Sequence, residues 1–132
     1  MKKVLLGIVM LLGLAACGAN ASVTAEPTLG TVPSEYSGMT NPLGADAATD
    51  GAKIYKSNCE SCHGPQGHGD GPAGAALIPP PRNLPDLAAQ VDDDYLFWRI
   101  SAGSPGTPMV AWKGIMTDEQ IWQTVAYIRT LR

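Results

Sequence analysis

Several things are scarce in this sequence. Lysine and arginine together number nine against twelve acids, and they form no basic run. Nucleic acid is therefore an improbable partner, because phosphate backbones are held by clustered cations. Long apolar segments are also missing. The longest, from Val4 to Ala16, covers 13 positions, short of the roughly 20 residues that a membrane-spanning helix needs. No stretch alternates apolar and polar residues with a period of two, so a β-sheet core is not expected. Cysteine is limited to positions 17, 59 and 62, and histidine to 63 and 68. A chain of 132 residues leaves room for one small domain.

What is present begins with a leader. Met1-Lys2-Lys3 is a short basic start, and the apolar run behind it reads as the h-region of a signal peptide. Leu14-Ala15-Ala16-Cys17 resembles the bacterial lipoprotein cleavage box. That resemblance implies that residues 1–16 are removed and that Cys17 carries lipid. An ordinary secretory signal, or an uncleaved anchor, is the other reading of the same residues. Two or three acyl chains at Cys17 would anchor stably, since each buried methylene contributes about 0.8 kcal/mol. Loss of Lys2 and Lys3 would leave seven basic residues against twelve acids, a mildly acidic mature chain.

Residues 17–49 read as a tether. They carry Pro27, Pro33 and Pro42 and no sustained apolar period. Within them, Tyr36 to Leu43 is alternatively a docking strap that orders against another subunit. A compact domain is expected over residues 50–132, with three helices. The first covers about 50–58, capped by Thr49 or Asp50. The second covers about 93–102, with Asp92, Asp93 and Asp94 at its positive end and Gly103 past its stop. The third starts at Thr117, whose spacing to Gln120 is a capping box, and runs to the C-terminus, with Met116 placed to staple onto Ile121. A short turn near 85–89 is also expected. Between Gly64 and Leu84 lies a long glycine- and proline-rich loop, and a loop of that length needs something to wrap around. A core this small also needs a staple.

Cys59-Glu60-Ser61-Cys62-His63 supplies both. C-x-x-C-H is the attachment signature of c-type haem. Two intervening residues make one helical turn, which brings both thiols to one porphyrin edge, and the next residue aims His63 at the iron. A redox C-x-x-C would be expected beside a βαβ pattern, and none is visible. Zinc would need about four ligands, and His68 stands alone as a further candidate. With Cys17 assigned to lipid, no cysteine remains for a disulfide, so the covalent haem is the expected staple.

The sixth iron ligand decides the chemistry. Met109, in the Pro-bearing loop Gly106–Trp112, is the leading candidate. Met116 is better explained as a staple, Met39 lies in the tether, and His68 is too close in sequence to His63 to cross the porphyrin plane easily. Ligation by His63 and Met109 would fill the coordination sphere, favour ferrous iron and suit electron transfer over bond-making.

Residues 50–132 resemble a class I c-type cytochrome, an all-α fold wrapped around one haem c. Gly51 and Tyr55 stand where that family places a glycine and an aromatic on its first helix, and Tyr127 falls at the aromatic position of the last. The resemblance implies that the Gly51 surface crosses the helix bearing Trp122, Val125 and Tyr127. Gly67-x-Gly69-x-Gly71-Pro72 and the run Pro79-Pro80-Pro81-Arg82-Asn83-Leu84 resemble the family's post-haem loop. There a proline carbonyl accepts the proximal histidine's N–H and a leucine packs on the haem, which implies those roles for Pro80 or Pro81 and for Leu84. Arg82 either approaches a propionate or is solvated. Trp98 and Trp112 are expected to pack the pocket. Pro108 precedes Met109, whereas the family commonly has proline after the axial methionine.

The lipobox, Asn41-Pro42-Leu43 and Tyr95-Leu96-Phe97-Trp98-Arg99-Ile100 also resemble the monohaem lipoprotein cytochrome of alternative complex III. The implied function is electron transfer, as a carrier or as a subunit of a quinol-oxidising membrane complex. The implied partners are other redox proteins or subunits, and the implied site is the outer side of a membrane, facing the periplasm. The competing function is a haem enzyme or a gas or redox sensor with an exchangeable sixth ligand.

Overall fold

The computed structural model describes residues 29–44 and 46–132; the leader and Cys17 lie outside the described residues. The described residues form helices, turns and one isolated bridge between Lys113 and Met116. In chain order these are α1 (Ala47–Asn58), α2 (Glu60–His63), a 3-10 turn (Gly74–Ala76), α3 (Leu84–Ala88), α4 (Asp93–Ala102) and α5 (Asp118–Ile128).

The frame of the domain is the crossing of α1 and α5, and Gly51 is what permits it. A Cβ at this position would stand 1.9 Å from the Gln123 carbonyl oxygen and 3.0 Å from Tyr127 Cβ. Only a residue without a side chain lets two backbones approach this closely. One turn further along, the rings of Tyr55 and Tyr127 meet at 5.1 Å, tilted by 53°. On its inner face α5 buries Ile121, Trp122, Val125 and Ile128. Trp122 stacks on Phe97 of α4 at 4.1 Å, and such pairs contribute about 0.5–1.5 kcal/mol beyond area burial.

Local chemistry sets the helix ends. Thr117 and Gln120 form both bonds of the capping box, Gln120 N–H to Thr117 Oγ1 at 3.2 Å and Thr117 N–H to Gln120 Oε1 at 2.9 Å. Met116 and Ile121 are both buried in the core. Gly103 ends α4 with φ +71°, a conformation that other residues adopt at a cost. Asn83 caps α3 by accepting the Asp86 N–H, which places that helix one residue earlier than expected. Two boundaries differ further. The first helix begins at Ala47 with Asp46 as its cap, not at Thr49 or Asp50, and Asp46 makes no side-chain capping bond. The last helix stops at Ile128, four residues before the C-terminus.

The larger difference is upstream. Residues 29–44 pack against their own domain rather than extending as a free tether. They fold back over α4 and α5 of their own domain. The Asn41 N–H donates to Asp93 Oδ2 at 3.2 Å, its Nδ2 donates to the Trp122 carbonyl at 2.9 Å, and its Oδ1 accepts the Leu43 N–H at 3.0 Å. The Gly38 N–H donates to Asp94 Oδ2 at 2.8 Å. Val32, Tyr36, Met39 and Leu43 pack against the core, with Tyr36 at 6.2 Å from the Phe97 ring. The acids expected only to favour the start of α4 thus also receive strap N–H groups. Asp93 additionally binds Arg129 Nε at 2.8 Å, and Arg129 donates to the carbonyls of Ala88 and Val91. Helix α4, the end of α5, the α3–α4 link and the strap meet at this node.

Candidate functional site

Where α1 passes into α2 the chain makes a continuous helical turn. The Cys62 and His63 N–H groups both donate to the Cys59 carbonyl, at 3.2 and 2.9 Å. Cys59, Cys62 and His63 are thereby presented to one cleft. The loop that follows is tied back to this turn rather than hanging from it. The Gly69 N–H reaches the His63 carbonyl, the Ala73 N–H reaches the Ser61 carbonyl, and the Leu84 N–H reaches the Gly67 carbonyl, at 2.7–2.8 Å. The Tyr55 hydroxyl, whose proton is held more tightly through burial, donates to the Gly64 carbonyl at 2.8 Å.

The cleft holds about 1470 Å³ of space free of protein atoms, part of it continuous with solvent. Counted without open solvent the cleft measures about 310 Å³, within the roughly 300–1,000 Å³ of ordinary small-molecule sites, so a ligand that also reaches into the solvent-facing part can be accommodated. One side is formed by the attachment turn and by Pro80, Pro81, Arg82, Leu84 and Leu87. The rest of the lining comes largely from α4 and the loop behind it, with Tyr95, Leu96, Arg99, Ile100, Met109 and Trp112. Every residue singled out from the sequence for this site is therefore on the cleft, except Trp98. Trp98 lies outside it, against Arg99 and edge-on to Tyr95 at 5.6 Å. His68 is exposed and sits 3.4 Å from the Asn83 amide, away from the cleft.

The Met109 loop is held by backbone contacts. The Ser104 N–H donates to the Met109 carbonyl at 3.0 Å, and the Met109 N–H donates to Thr107 Oγ1 at 3.2 Å. Residues that sequence reasoning did not assign to the cleft include Tyr95, Leu96, Arg99 and Ile100 of α4. Their i, i+4 pairs, Tyr95 with Arg99 and Leu96 with Ile100, were the available signal, since such pairs share a helix face.

Electrostatics separates the possible uses of C-x-x-C. Burial, with Cys62 nearby, pushes the Cys59 thiol up to about 12. A thiol–disulfide motif needs the opposite shift, a thiolate stabilised near or below neutrality. Both thiols are free, and no group of three or more metal-binding side chains occurs among the described residues. Burial also lowers the proton affinity of His63, partly offset by the backbone of Arg82. The contact falls short of full hydrogen-bond geometry and leaves the buried Nδ1 without a partner.

Two thiols one helical turn apart, an imidazole beside them, apolar walls and a methionine in the same lining fit a covalently attached haem. The charged residues in the lining fit it as well: Arg82 and Arg99, and no carboxylate. A metalloporphyrin is mostly apolar and carries two carboxylates, and this lining supplies counterparts to both.

Comparison with known proteins gives the same answer. The family described as cytochrome c oxidase, cbb3-type, subunit III matches residues 46–128. Among solved structures, a chain of the Kuenenia stuttgartiensis reducing HAO-like protein complex superposes with a TM-score of 0.61 at 23% identity, over 72% of this chain and 48% of that one. This chain therefore spans about half the length of that relative. The c-type cytochrome KustC0563 matches with a TM-score of 0.52 at 26% identity, over 63% of this chain and 98% of its own. Cytochrome cL from Hyphomicrobium denitrificans gives a TM-score of 0.50 at 24% identity, over 64% and 47% of the two chains.

Proposed function

We propose, for a chain that belongs to the cytochrome c oxidase cbb3-type subunit III family and has the class I cytochrome c fold, that His63 and Met109 are the two axial ligands of its haem and that it acts as a membrane-tethered electron relay. Haem c is attached through Cys59 and Cys62, and electron transfer is the activity common to such domains. When bound, the haem supplies a one-electron ferric/ferrous couple. The protein's part is to hold it, exclude competing ligands and set its potential.

The observation that carries the reading is the placement of His63 and Met109 on the walls of one cleft whose remaining lining offers no other sulfur or imidazole beyond the attachment cysteines. His63, lowered in proton affinity by burial, presents a free lone pair at neutral pH. Met109 is pinned at both its N–H and its carbonyl. A soft thioether together with an imidazole would raise the potential and would leave no position open to small ligands.

Carbon monoxide binding to the reduced protein tests this. Wild type is expected to bind slowly and incompletely at neutral pH, and Met109→Ala rapidly and fully, with an altered spectrum. Rapid, complete binding by wild type would instead support the exchangeable-ligand reading, a haem enzyme or sensor.

Lipid on Cys17, and a place in a quinol-oxidising membrane complex, belong to the same proposal. They are supported by the lipobox-like Leu14–Cys17 and by the resemblance of the Asn41–Leu43 and Tyr95–Ile100 segments to the alternative complex III cytochrome. Native sizing after detergent extraction distinguishes a subunit from a free carrier, since a carrier migrates at the monomer mass.

A further inference from the structure

Arg99 is held in a way that Arg82 is not. Its guanidinium lies 3.8 Å from the centre of the Trp98 ring and 5.4 Å from that of Tyr95, and its Nε donates to the Tyr95 hydroxyl at 3.3 Å. Its terminal nitrogens meet no acceptor among the described residues. The ion pairs there are Lys53 with Asp50 and Arg129 with Asp93. Arg99 therefore brings an unneutralised, half-buried charge to a cleft that has no carboxylate of its own.

The strap backbone runs against the edge of this stack, close to both of its members. A Cβ added at Gly30 would stand 2.6 Å from Arg99 Nη2 and 3.2 Å from the Trp98 ring. Glycine lets the strap backbone run directly against the guanidinium, and a larger residue must displace one or the other. A free arginine side chain samples many rotamers. Enclosure between an indole and a backbone removes that freedom before any ligand is met.

We propose that the strap is a redox-tuning element: through Gly30 it clamps Arg99 against Trp98, and so fixes the cationic partner of the haem carboxylates. This rests on the covalent haem and is independent of Met109. A guanidinium presents a planar fork that matches a carboxylate. A fixed positive charge near the iron also favours the ferrous state, which carries one positive charge less than the ferric. Arg82 lines the same cleft, but no neighbouring ring is stacked on it among the described residues. Arg99 is thus a positioning residue, and the strap is what positions it.

The test is an equilibrium redox titration of the full-length, haem-loaded chain. At fixed poise, Arg99→Gln is expected to lower the ferrous-to-ferric ratio about tenfold, equivalent to about 59 mV for a one-electron couple. Arg99→Lys should recover most of that ratio. Gly30→Val, which leaves Arg99 in the chain but takes its space, should lower the ratio by a smaller factor. None of the three should change the absorption spectrum, whereas failure of the Met109 reading shows in the spectrum and in carbon monoxide binding. Ratios within about twofold of wild type in both Arg99→Gln and Gly30→Val, well inside the 59 mV that marks a tenfold change, would overturn the proposal. A response to Arg99→Gln with none to Gly30→Val overturns the role of the strap. If Arg99→Gln fails to take up haem, Gly30→Val decides alone.

Discussion

Thr107 shows how much one hydroxyl can carry. It donates to the Ser104 carbonyl at 2.7 Å and accepts the Met109 N–H at 3.2 Å, so it knits the loop that delivers the proposed sulfur ligand. Thr107→Val keeps the shape and removes both bonds. The expected result is a loss of about 1–2 kcal/mol in stability, read from denaturant midpoints, together with faster carbon monoxide binding as the Met109 loop loosens. At this scale the sequence was legible wherever spacing alone imposes chemistry. Cys59, Cys62 and His63 fall together because a helical turn leaves them no other arrangement. Arg99 was not legible as a cleft residue. A lone arginine on an amphipathic helix looks the same whether its head is solvated or clamped, and the clamp comes from Gly30, 69 positions earlier. Trp98 was misplaced for a related reason, since a large aromatic can pack on either side of a helix that is buried around most of its circumference.

The α1–α5 crossing is the element on which the cleft depends, and it can be tested through Gly51. An alanine Cβ there would lie 1.9 Å from a backbone oxygen that has no rotamer to escape into. Gly51→Ala is expected to cost about 1–3 kcal/mol, the usual range for overpacking, despite alanine's better helix propensity. A propensity-only view predicts the opposite sign, so thermal melts of the haem-loaded protein decide between them. Helix ends were legible where the residue type itself sets the boundary, as with the Thr117 side chain and the positive φ of Gly103. The start of α1 was not, because Asp46 caps with no side-chain bond and Thr49, the better-looking candidate, lies already inside the helix.

For the molecule as a whole, the strap was the least legible part. Its apolar residues are separated by prolines, glycines and serines, so neither helical nor strand periodicity marks them as buried. Its anchors are backbone N–H groups and one asparagine amide, which leave no pattern in composition. Yet these bonds tie it to both α4 and α5. A haem-loaded protein starting at residue 46 would retain the entire family match and lose three such bonds, at about 1 kcal/mol each. It is expected to melt about 12–24 °C lower, since a domain of this size moves about 4–8 °C per kcal/mol. It should also be cleaved faster by protease near Phe97. Unchanged melting would mean that the strap rests on the domain without stabilising it. The border drawn by kinship at residue 46 and the border drawn by cooperative unfolding thus fall at different places along the chain. Trimming to the first would discard part of what the second holds together.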